Sequence, residues 1–476
     1  MTRDVLDRAR RSRDARFDGK FFIAVTSTGI YCRSICPAKT SKDANVRYYA
    51  TAAEAAEAGF RPCLRCRPET APGSPAWLGT SAVVRRALRL IQNGALDQSP
   101  VEALATRLGV GARHLGRLFN RHLGTSPAAV ARTRRLHFAK QLLDETSLPI
   151  TQIALASGFG SVRRFNDAFK ATYRRSPREL RKTRRQPVDA DIRLRLTFRP
   201  PYDWPAMLES LERKLISGLE QVSEGVYRRA VRTAAGSATV EVSYLDDADA
   251  LELRILGGEA SDLLPLASAV RRMFDLSADP ARIREVLARD AQLAPSLARR
   301  PGLRIAGDWD AFESGVRALV GAHSGAGAAP RALTRLLASA GEALPVRTAE
   351  LHLLFPTASA LARADPARLD CAAALARRLQ QFAAQVAQHI QRGVPPDEAV
   401  RASLPASSAA SYSLAEHVSL FGLGDPDALP HAATALRARL AAAALSDAEL
   451  RARTEAWRPF RGYAAAHLLD AAGALG

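Results

Sequence analysis

The stretch Thr28-Gly29-Ile30-Tyr31-Cys32-Arg33-Ser34-Ile35-Cys36-Pro37-Ala38, with Arg61-Pro62-Cys63-Leu64-Arg65-Cys66-Arg67-Pro68 downstream, holds four of the chain's five cysteines. The spacing is C-x3-C, then 26 residues, then C-x2-C. Two close pairs can converge on one point, and four thiolates satisfy tetrahedral zinc. Disulfides or isolated structural thiols are the alternatives. Such tight clustering in a cysteine-poor chain argues against both. The expected cofactor is Zn2+, with Cys32, Cys36, Cys63 and Cys66 as ligands. The fifth cysteine, Cys371, lies in an Ala/Leu/Arg-rich stretch read as helical, where a buried thiol is expected.

Around this cluster the charge is lopsided. The 476 residues carry Lys+Arg 68 and Asp+Glu 48, a net charge of +20. Residues 1–185 hold 35 basic and 14 acidic side chains, a net of +21; residues 186–476 hold 33 and 34, a net of −1. A basic part beside a neutral one calls for a polyanion, and double-stranded DNA is the leading partner. An arginine-rich codon bias would raise arginine throughout and cannot produce this asymmetry. At 47% hydrophobic and 24% charged, the composition is globular. No apolar run approaches the ~18 residues of a membrane span. Met1 to Lys20 is charged and lacks the apolar core of a signal peptide. These features lead us to expect a cytoplasmic protein with no membrane partner.

Phe17-Asp18-Gly19-Lys20-Phe21-Phe22 and the two cysteine segments together resemble the N-terminal zinc domain of Ada-type adaptive-response regulators, over residues 1–70. Ser34 stands where that family often has Pro. The resemblance implies that the cysteines bind zinc and that one thiolate accepts a methyl group from a DNA methyl phosphotriester. The acceptor position falls on Cys32. Zinc keeps thiolates deprotonated at neutral pH. Four thiolates on one Zn2+ carry two net negative charges, and methylation removes one. Repulsion from DNA phosphates then falls, so methylation can raise DNA affinity. The thioether has no route back, so each molecule reacts once. Spacing alone leaves a purely structural zinc site as the alternative.

Pro72-Gly73-Ser74-Pro75 reads as a linker. An internal repeat follows. Leu104-Ala105-Thr106-Arg107-Leu108-Gly109 matches Ile153-Ala154-Leu155-Ala156-Ser157-Gly158 at an offset of 49. Leu115, Phe119 and Ser126-Pro127 match Phe165, Phe169 and Ser176-Pro177 at an offset of 50, so one residue is inserted in the second turn. A small Ala, a turn Gly and apolar anchors on the next helix are helix-turn-helix features. The second helix of each unit, at about Ala112–His122 and Ser161–Ala171, would enter a major groove. Arg113, His114, Arg117 and Arg121 are the candidate DNA contacts of the first unit. Ser161, Arg163, Arg164, Asn166 and Lys170 are those of the second. Arg pairs bidentately with guanine and Asn with adenine; a solvated basic face is the alternative. Gly158-Phe159-Gly160-Ser161, Phe165-Asn166-Asp167-Ala168-Phe169-Lys170 and Ser176-Pro177 make residues 80–182 resemble the DNA-binding domain of AraC-type regulators. The run Arg181-Lys182-Thr183-Arg184-Arg185 ends the domain as a basic tail.

In the neutral half, Ile192–Phe198, Val240–Tyr244 and Leu251–Ile255 alternate apolar and polar residues, the pattern of half-buried strands. Helices are expected at about Trp204–Leu219 and Asp262–Asp275, and residues 308–476 read as helical almost throughout. Three stretches make residues 190–475 resemble alkyladenine DNA glycosylases of the helix-hairpin-helix superfamily. They are Pro200-Pro201-Tyr202-Asp203-Trp204-Pro205, Gly424-Asp425-Pro426-Asp427-Ala428-Leu429-Pro430, and Trp457-Arg458-Pro459-Phe460-Arg461-Gly462-Tyr463-Ala464 with His467. That family flips an alkylated base into an aromatic pocket, where an Asp carboxylate stabilises the sugar cation. Here the catalytic Asp position is Ala433, and no carboxylate occurs between Asp427 and Asp447. Ala409 and Ser411 replace the hairpin glycines. Ser413, His417 and Leu469 replace the pocket aromatics, and Gly321-Ala322-His323-Ser324-Gly325 replaces a Gln-rich loop. Asp425 and Asp427 are the nearest carboxylates, but their counterparts are structural. His323, His417 and His431 are scattered singly. The resemblance with these losses implies an inactive, degenerate glycosylase domain.

The expected architecture is multidomain α+β in four parts: a zinc methyl-acceptor domain (1–72), an all-α double helix-turn-helix (80–185), an α+β domain (190–300) and an all-α helix-hairpin-helix-like domain (301–476). The expected function is an alkylation-response regulator. It would take a methyl group onto Cys32 from a DNA phosphotriester and activate transcription through the helix-turn-helix pair, with RNA polymerase as target. One alternative is a bifunctional regulator that also excises 3-methyladenine-type bases; another is a zinc-stabilised regulator without methyl chemistry. No Pro-Cys-His-Arg run occurs, so a second, O6-alkylguanine acceptor is not expected.

Overall fold

The computed structural model describes residues 1–68, 71, 82–97, 99–181, 191–234, 236–325, 327–345, 348, 350–404, 414–429, 434–440 and 446–470. The chain forms two compact units. The first is Met1–Pro200 with Leu245–Arg271 and Leu276–Asp279; the second is Pro201–Tyr244, Arg272–Asp275 and Pro280–Gly476. The 190–300 segment is divided between the two: the strands expected at Ile192–Phe198 and Leu251–Ile255 belong to the first unit and that at Val240–Tyr244 to the second. No helix among the described residues is long and apolar enough to cross a membrane.

The first unit opens with helix α1 (Arg3–Ser12) and a small sheet of β1 (Phe22–Val25), β2 (Ile30–Cys32), β3 (Val46–Tyr49) and β4 (Arg61–Pro62). The strand order is β3-β1-β2-β4, with β2 and β4 parallel. Helix α2 (Ala52–Glu57) starts at Thr51, whose hydroxyl accepts the Glu54 N–H at 3.0 Å, an N-cap bond. The expected linker at 72–75 lies outside the described residues.

The repeat folds as two helix-turn-helix units: α4 (Val101–Arg107) with α5 (Ala112–Leu123), and α7 (Ile150–Ala156) with α8 (Val162–Tyr173). Helix α3 (Ala82–Gln92) packs beside the first unit, and α6 (Pro127–Glu145) joins the two. Gly109 and Gly158 turn at φ 69° and 75°, a region where residues other than glycine are strained. The inserted residue puts Ser161 at the N-cap of α8, where Gly111 caps α5. Ser161 therefore precedes the helix instead of starting it, and its hydroxyl accepts the Arg164 N–H at 3.2 Å. Both Ser-Pro pairs are helix starts: Ser126 caps α6, and Ser176 forms a capping box with Glu179. Proline tolerates the first helical turn because its missing N–H would be unpaired there. Leu115, Phe119 and Leu123 line the buried face of α5, and Phe165, Phe169 and Tyr173 that of α8. Strands β5 (Asp191–Thr197) and β9 (Ala250–Gly257) pair antiparallel. The Gln141 amide on α6 donates to the Arg195 carbonyl at 2.9 Å.

In the second unit, β6 (Glu220–Ser223), β7 (Val226–Thr233) and β8 (Gly236–Leu245) form an antiparallel meander. Only β8 was expected. Helix α9 is shorter than expected, Trp204–Glu212, because Lys214 turns inward to the carbonyls of Ala306 and Gly307 at 2.8 and 2.9 Å. The expected helix at Asp262–Asp275 runs Leu263–Met273, of which Leu263–Arg271 belongs to the first unit. Most of the remainder is helical around a core that includes Val316, Leu336, Leu379 and Val386. It also contains a short hairpin, Glu342–Ala343 with Leu353–Leu354, and a π-helical turn, Val418–Gly422. Cys371 is neither helical nor buried: it sits half-buried on a bend before the helix Ala373–Gln391.

Candidate zinc centre and nucleic-acid interface

Parallel strands bring the two cysteine pairs together. Tyr31 and Pro62 are register partners, so Cys32 and Cys63 leave adjacent strands side by side. The Cys63 N–H donates to the Tyr31 carbonyl at 2.9 Å. All four sulfurs lie within 4.8 Å of one another. Four thiols this close compete for protons. Hydrogen bonding with Cys32 pulls Cys36 down to about 7, and contacts with their neighbours push Cys32 and Cys66 up. A cation at the centre lets all four ionise, and an all-sulfur tetrahedral set fits zinc. The cysteines thus form a zinc site. Cys63 and Cys66 are buried at 8% and 7% exposure, whereas Cys32 and Cys36 are half-buried. The Cys66 sulfur accepts the Arg33 backbone N–H at 3.3 Å.

The residues flanking the outer cysteines reach α6. Tyr31, fully buried, pairs its hydroxyl with His137 Nε2 at 2.9 Å. Arg67 adopts φ 53° just after Cys66 and pairs with Asp144 at 2.8 Å and Glu145 at 3.3 Å. Neither contact could be read from the sequence, because nothing in the spacing ties residue 31 to 137.

On α5, Arg113, His114, Arg117 and Arg121 are all exposed; on α8, so are Arg163, Arg164, Asn166 and Lys170. Ser161 is half-buried at its cap. The spacing of Arg113, Arg117 and Arg121 puts three guanidinium groups along one face. The Arg117 guanidinium lies 3.3 Å from His114 Nδ1. Asn120 and Asp167 are also exposed on these helices, and the sequence reading did not single them out for DNA contact. Lys182–Arg185 lie outside the described residues.

In the second unit the glycosylase-like motifs hold one another. Arg458 pairs with Asp427, and Arg461 Nε donates to Asp427 Oδ1 at 3.0 Å. The Gly462 N–H donates to the Pro426 carbonyl at 2.9 Å. Asp427 is thereby committed to two arginines. Asp425 accepts the Asp427 N–H at 3.2 Å. Tyr202 donates to the Phe274 carbonyl at 2.8 Å, and Trp204 stacks on Phe274. His323 is exposed near the end of its helix. His417 Nε2 faces the buried Asp308 carboxylate at 3.7 Å. Leu469 is half-buried. Ala409, Ser411, Ser413, His431 and Ala433 lie outside the described residues.

His467 is buried against Ser296 Oγ at 3.1 Å, and burial pushes its imidazole down to about 4. The unfolded chain binds a proton at about pH 6.5, well before the folded one. His467 therefore costs nothing above neutrality and destabilises progressively as pH falls from 6.5 to 4. The loss reaches roughly 3 kcal/mol. His467→Gln should flatten urea stability across that window; an unchanged slope would contradict the assignment.

Three family models match: the metal binding domain of Ada over residues 6–69, a helix-turn-helix domain over 104–183, and the AlkA N-terminal domain over 193–310. The chain is 37% identical over 474 residues to "Probable bifunctional transcriptional activator/DNA repair enzyme AlkA" of Mycobacterium tuberculosis, spanning 97% of this chain and 95% of that one. It is 38% identical over 150 residues to "Bifunctional transcriptional activator/DNA repair enzyme Ada" of Escherichia coli, 31% of this chain and 40% of that protein. It is 28% identical over 280 residues to "DNA-3-methyladenine glycosylase 2" of Escherichia coli, 57% of this chain and 95% of that protein. With identity of this order across nearly the whole of both chains, the protein belongs to the family of the mycobacterial bifunctional activator/repair enzyme, with an Ada-type zinc module and an AraC-type helix-turn-helix pair joined to a glycosylase-like body.

Proposed function

We propose that the protein is a single-turnover acceptor of methyl groups from DNA methyl phosphotriesters and an activator of transcription in the alkylation response. The observation that carries this reading is the four-cysteine cluster itself, its sulfurs within 4.8 Å of one another and Cys32, at the acceptor position of the motif, half-exposed. An N–H···S bond draws electron density from a thiolate, so Cys66, which accepts the Arg33 N–H, is the poorer nucleophile. When bound, zinc keeps the thiolates deprotonated near neutral pH. Cys32 Sγ attacks the methyl carbon in line. The S–C bond forms, the C–O bond breaks, and the phosphodiester leaves with the bonding pair as an anion.

The four zinc ligands are Cys32, Cys36, Cys63 and Cys66. Double-stranded DNA is held by Arg113, His114, Arg117 and Arg121 on α5, and by Ser161, Arg163, Arg164, Asn166 and Lys170 at α8. RNA polymerase is the target of activation. The four functional parts are those of the sequence reading: 1–72, 80–185, 190–300 and 301–476. Peptide mass spectrometry after exposure to phosphotriester DNA tests the central step. One methyl group on the Cys32 peptide is expected; methylation elsewhere, or none, overturns it.

The glycosylase-like body is read as having lost the family's carboxylate chemistry. The chain has no Asp or Glu between Asp427 and Asp447, and Asp427 is held by Arg458 and Arg461. Losing a charge-stabilising group costs on the order of a hundredfold to a thousandfold in rate. The purified protein should therefore release no free base from methylated duplex DNA above background. A second reading, active excision of alkylated bases, is favoured by the end-to-end match to a relative named for 3-methyladenine removal. Multiple-turnover base release would establish it.

A further inference from the structure

We infer that Arg33 is the positioning residue of the methyl-acceptor centre, coupling the cysteine pairs through a buried ion pair with Asp18. The inference rests on the reading of Cys32 as acceptor. Arg33 follows Cys32 directly; three of its groups engage the cysteines and two bind Asp18. Its N–H donates to Cys66 Sγ at 3.3 Å. Its carbonyl accepts the Cys36 N–H at 3.2 Å. Its Nη1 donates to the Cys66 carbonyl at 3.3 Å. Its Nε donates to Asp18 Oδ1 at 2.9 Å, and Nη2 binds the other carboxylate oxygen.

One residue thus fixes the backbone of Cys36 and both the sulfur and the carbonyl of Cys66. Cys63 is fixed separately, through the Tyr31 carbonyl. A guanidinium at 7% exposure is costly unless paired, and Asp18, at 3% exposure, is the pairing carboxylate. Asp18 is itself held in place, because its carbonyl accepts Arg199 Nε at 2.9 Å. The Asp18 of the Phe17-Asp18-Gly19 stretch and the Arg33 of the cysteine stretch are therefore one device.

The chemical consequence concerns the choice of sulfur. The Arg33 N–H weakens Cys66 as a nucleophile, and the grip on the Cys66 carbonyl holds that sulfur on the donor. Arg33 makes no bond to the transferred methyl, so it acts through the ligands. Groups that orient metal ligands typically contribute about tenfold to a hundredfold to affinity or activity.

Full-length Arg33→Lys, Arg33→Met and Asp18→Asn, loaded with zinc or cobalt, test the inference. Lysine keeps the charge but cannot grip the Cys66 carbonyl and both Asp18 oxygens together. The expected result for Arg33→Lys is a full metal complement, a shifted cobalt–thiolate absorption band, and single-turnover methyl transfer slowed about tenfold to a hundredfold. Asp18→Asn should shift the band the same way, and Arg33→Met further. Wild-type rate and an unchanged band in Arg33→Lys would overturn the inference. So would loss of metal and fold in all three variants, which marks a purely structural pair. If wild type itself takes no methyl on Cys32, the acceptor reading fails, and the cobalt band alone decides whether Arg33 positions the ligands.

Discussion

Replacing Cys32 with alanine should abolish methyl uptake from phosphotriester DNA, with a fall on the order of a thousandfold or more, as expected for removal of a nucleophile. Cys36, Cys63 and Cys66 remain within reach of one another and should still hold metal, more weakly, because three ligands plus water is a common zinc arrangement. The other sulfurs should not substitute: Cys63 and Cys66 are buried, Cys66 accepts the Arg33 N–H, and Cys36 is not at the acceptor position of the motif. Methylated-protein mass and zinc content, measured together, check both halves of the statement. Undiminished uptake by Cys32→Ala would remove the basis for the assignment. A variant that loses all metal would instead require Cys32→Ser, which retains a weak oxygen ligand.

Glu313→Ala should destabilise the second unit by about 3 to 5 kcal/mol, the cost of leaving a buried charge unpaired. Glu313 is fully buried and binds Arg229 and Arg317, the latter at 2.7 Å. Glu220 lies 2.6 Å from Arg229 and 2.9 Å from Arg317, and Asp308, itself paired with Lys214, lies 3.9 Å from Arg317. Burial pushes the Glu220 carboxyl up, but the charges of Arg317 and Arg229 overcome it and bring it to about 2. Two carboxylates thus balance two guanidinium groups between the meander and the helical core. Removing one carboxylate leaves an excess cation where water cannot reach it. Urea denaturation measures the loss directly. Replacing Glu313 and Arg317 together by Leu and Met should recover much of it, since an apolar pair carries no unpaired charge. An unchanged midpoint for Glu313→Ala would sink the account.

The network also marks where sequence reading stops. Strand β7 went unread because Arg229 points inward between Tyr227 and Val231, so the expected polar–apolar alternation fails. Its partners Glu220 and Glu313 are scattered along the chain with no pattern that could reveal them. Strands β5, β8 and β9 kept the alternation and were legible. So were both helix-turn-helix units, including the inserted residue that the structure places before α8. Helix α9 ends earlier than the sequence pattern, which continues past Glu212, because Lys214 turns to carbonyls about ninety residues away. Cys371 was read as a buried helical thiol because its neighbours favour helix; its bend appears only in the folded chain.

What the sequence determined by itself was set by short-range periodicity, cysteine spacing and charge balance: the zinc ligands, the two recognition helices, the basic first part, and the missing carboxylate between Asp427 and Asp447. What only the tertiary structure decided was how the two cysteine pairs are brought together and held. That depends on strand pairing and long-range hydrogen bonds rather than residue type. Arg33 and Asp18 are 15 positions apart, and Tyr31 and His137 are 106 apart. Chain separation carries no signal of such contacts, yet they fix the backbone on either side of the cysteines.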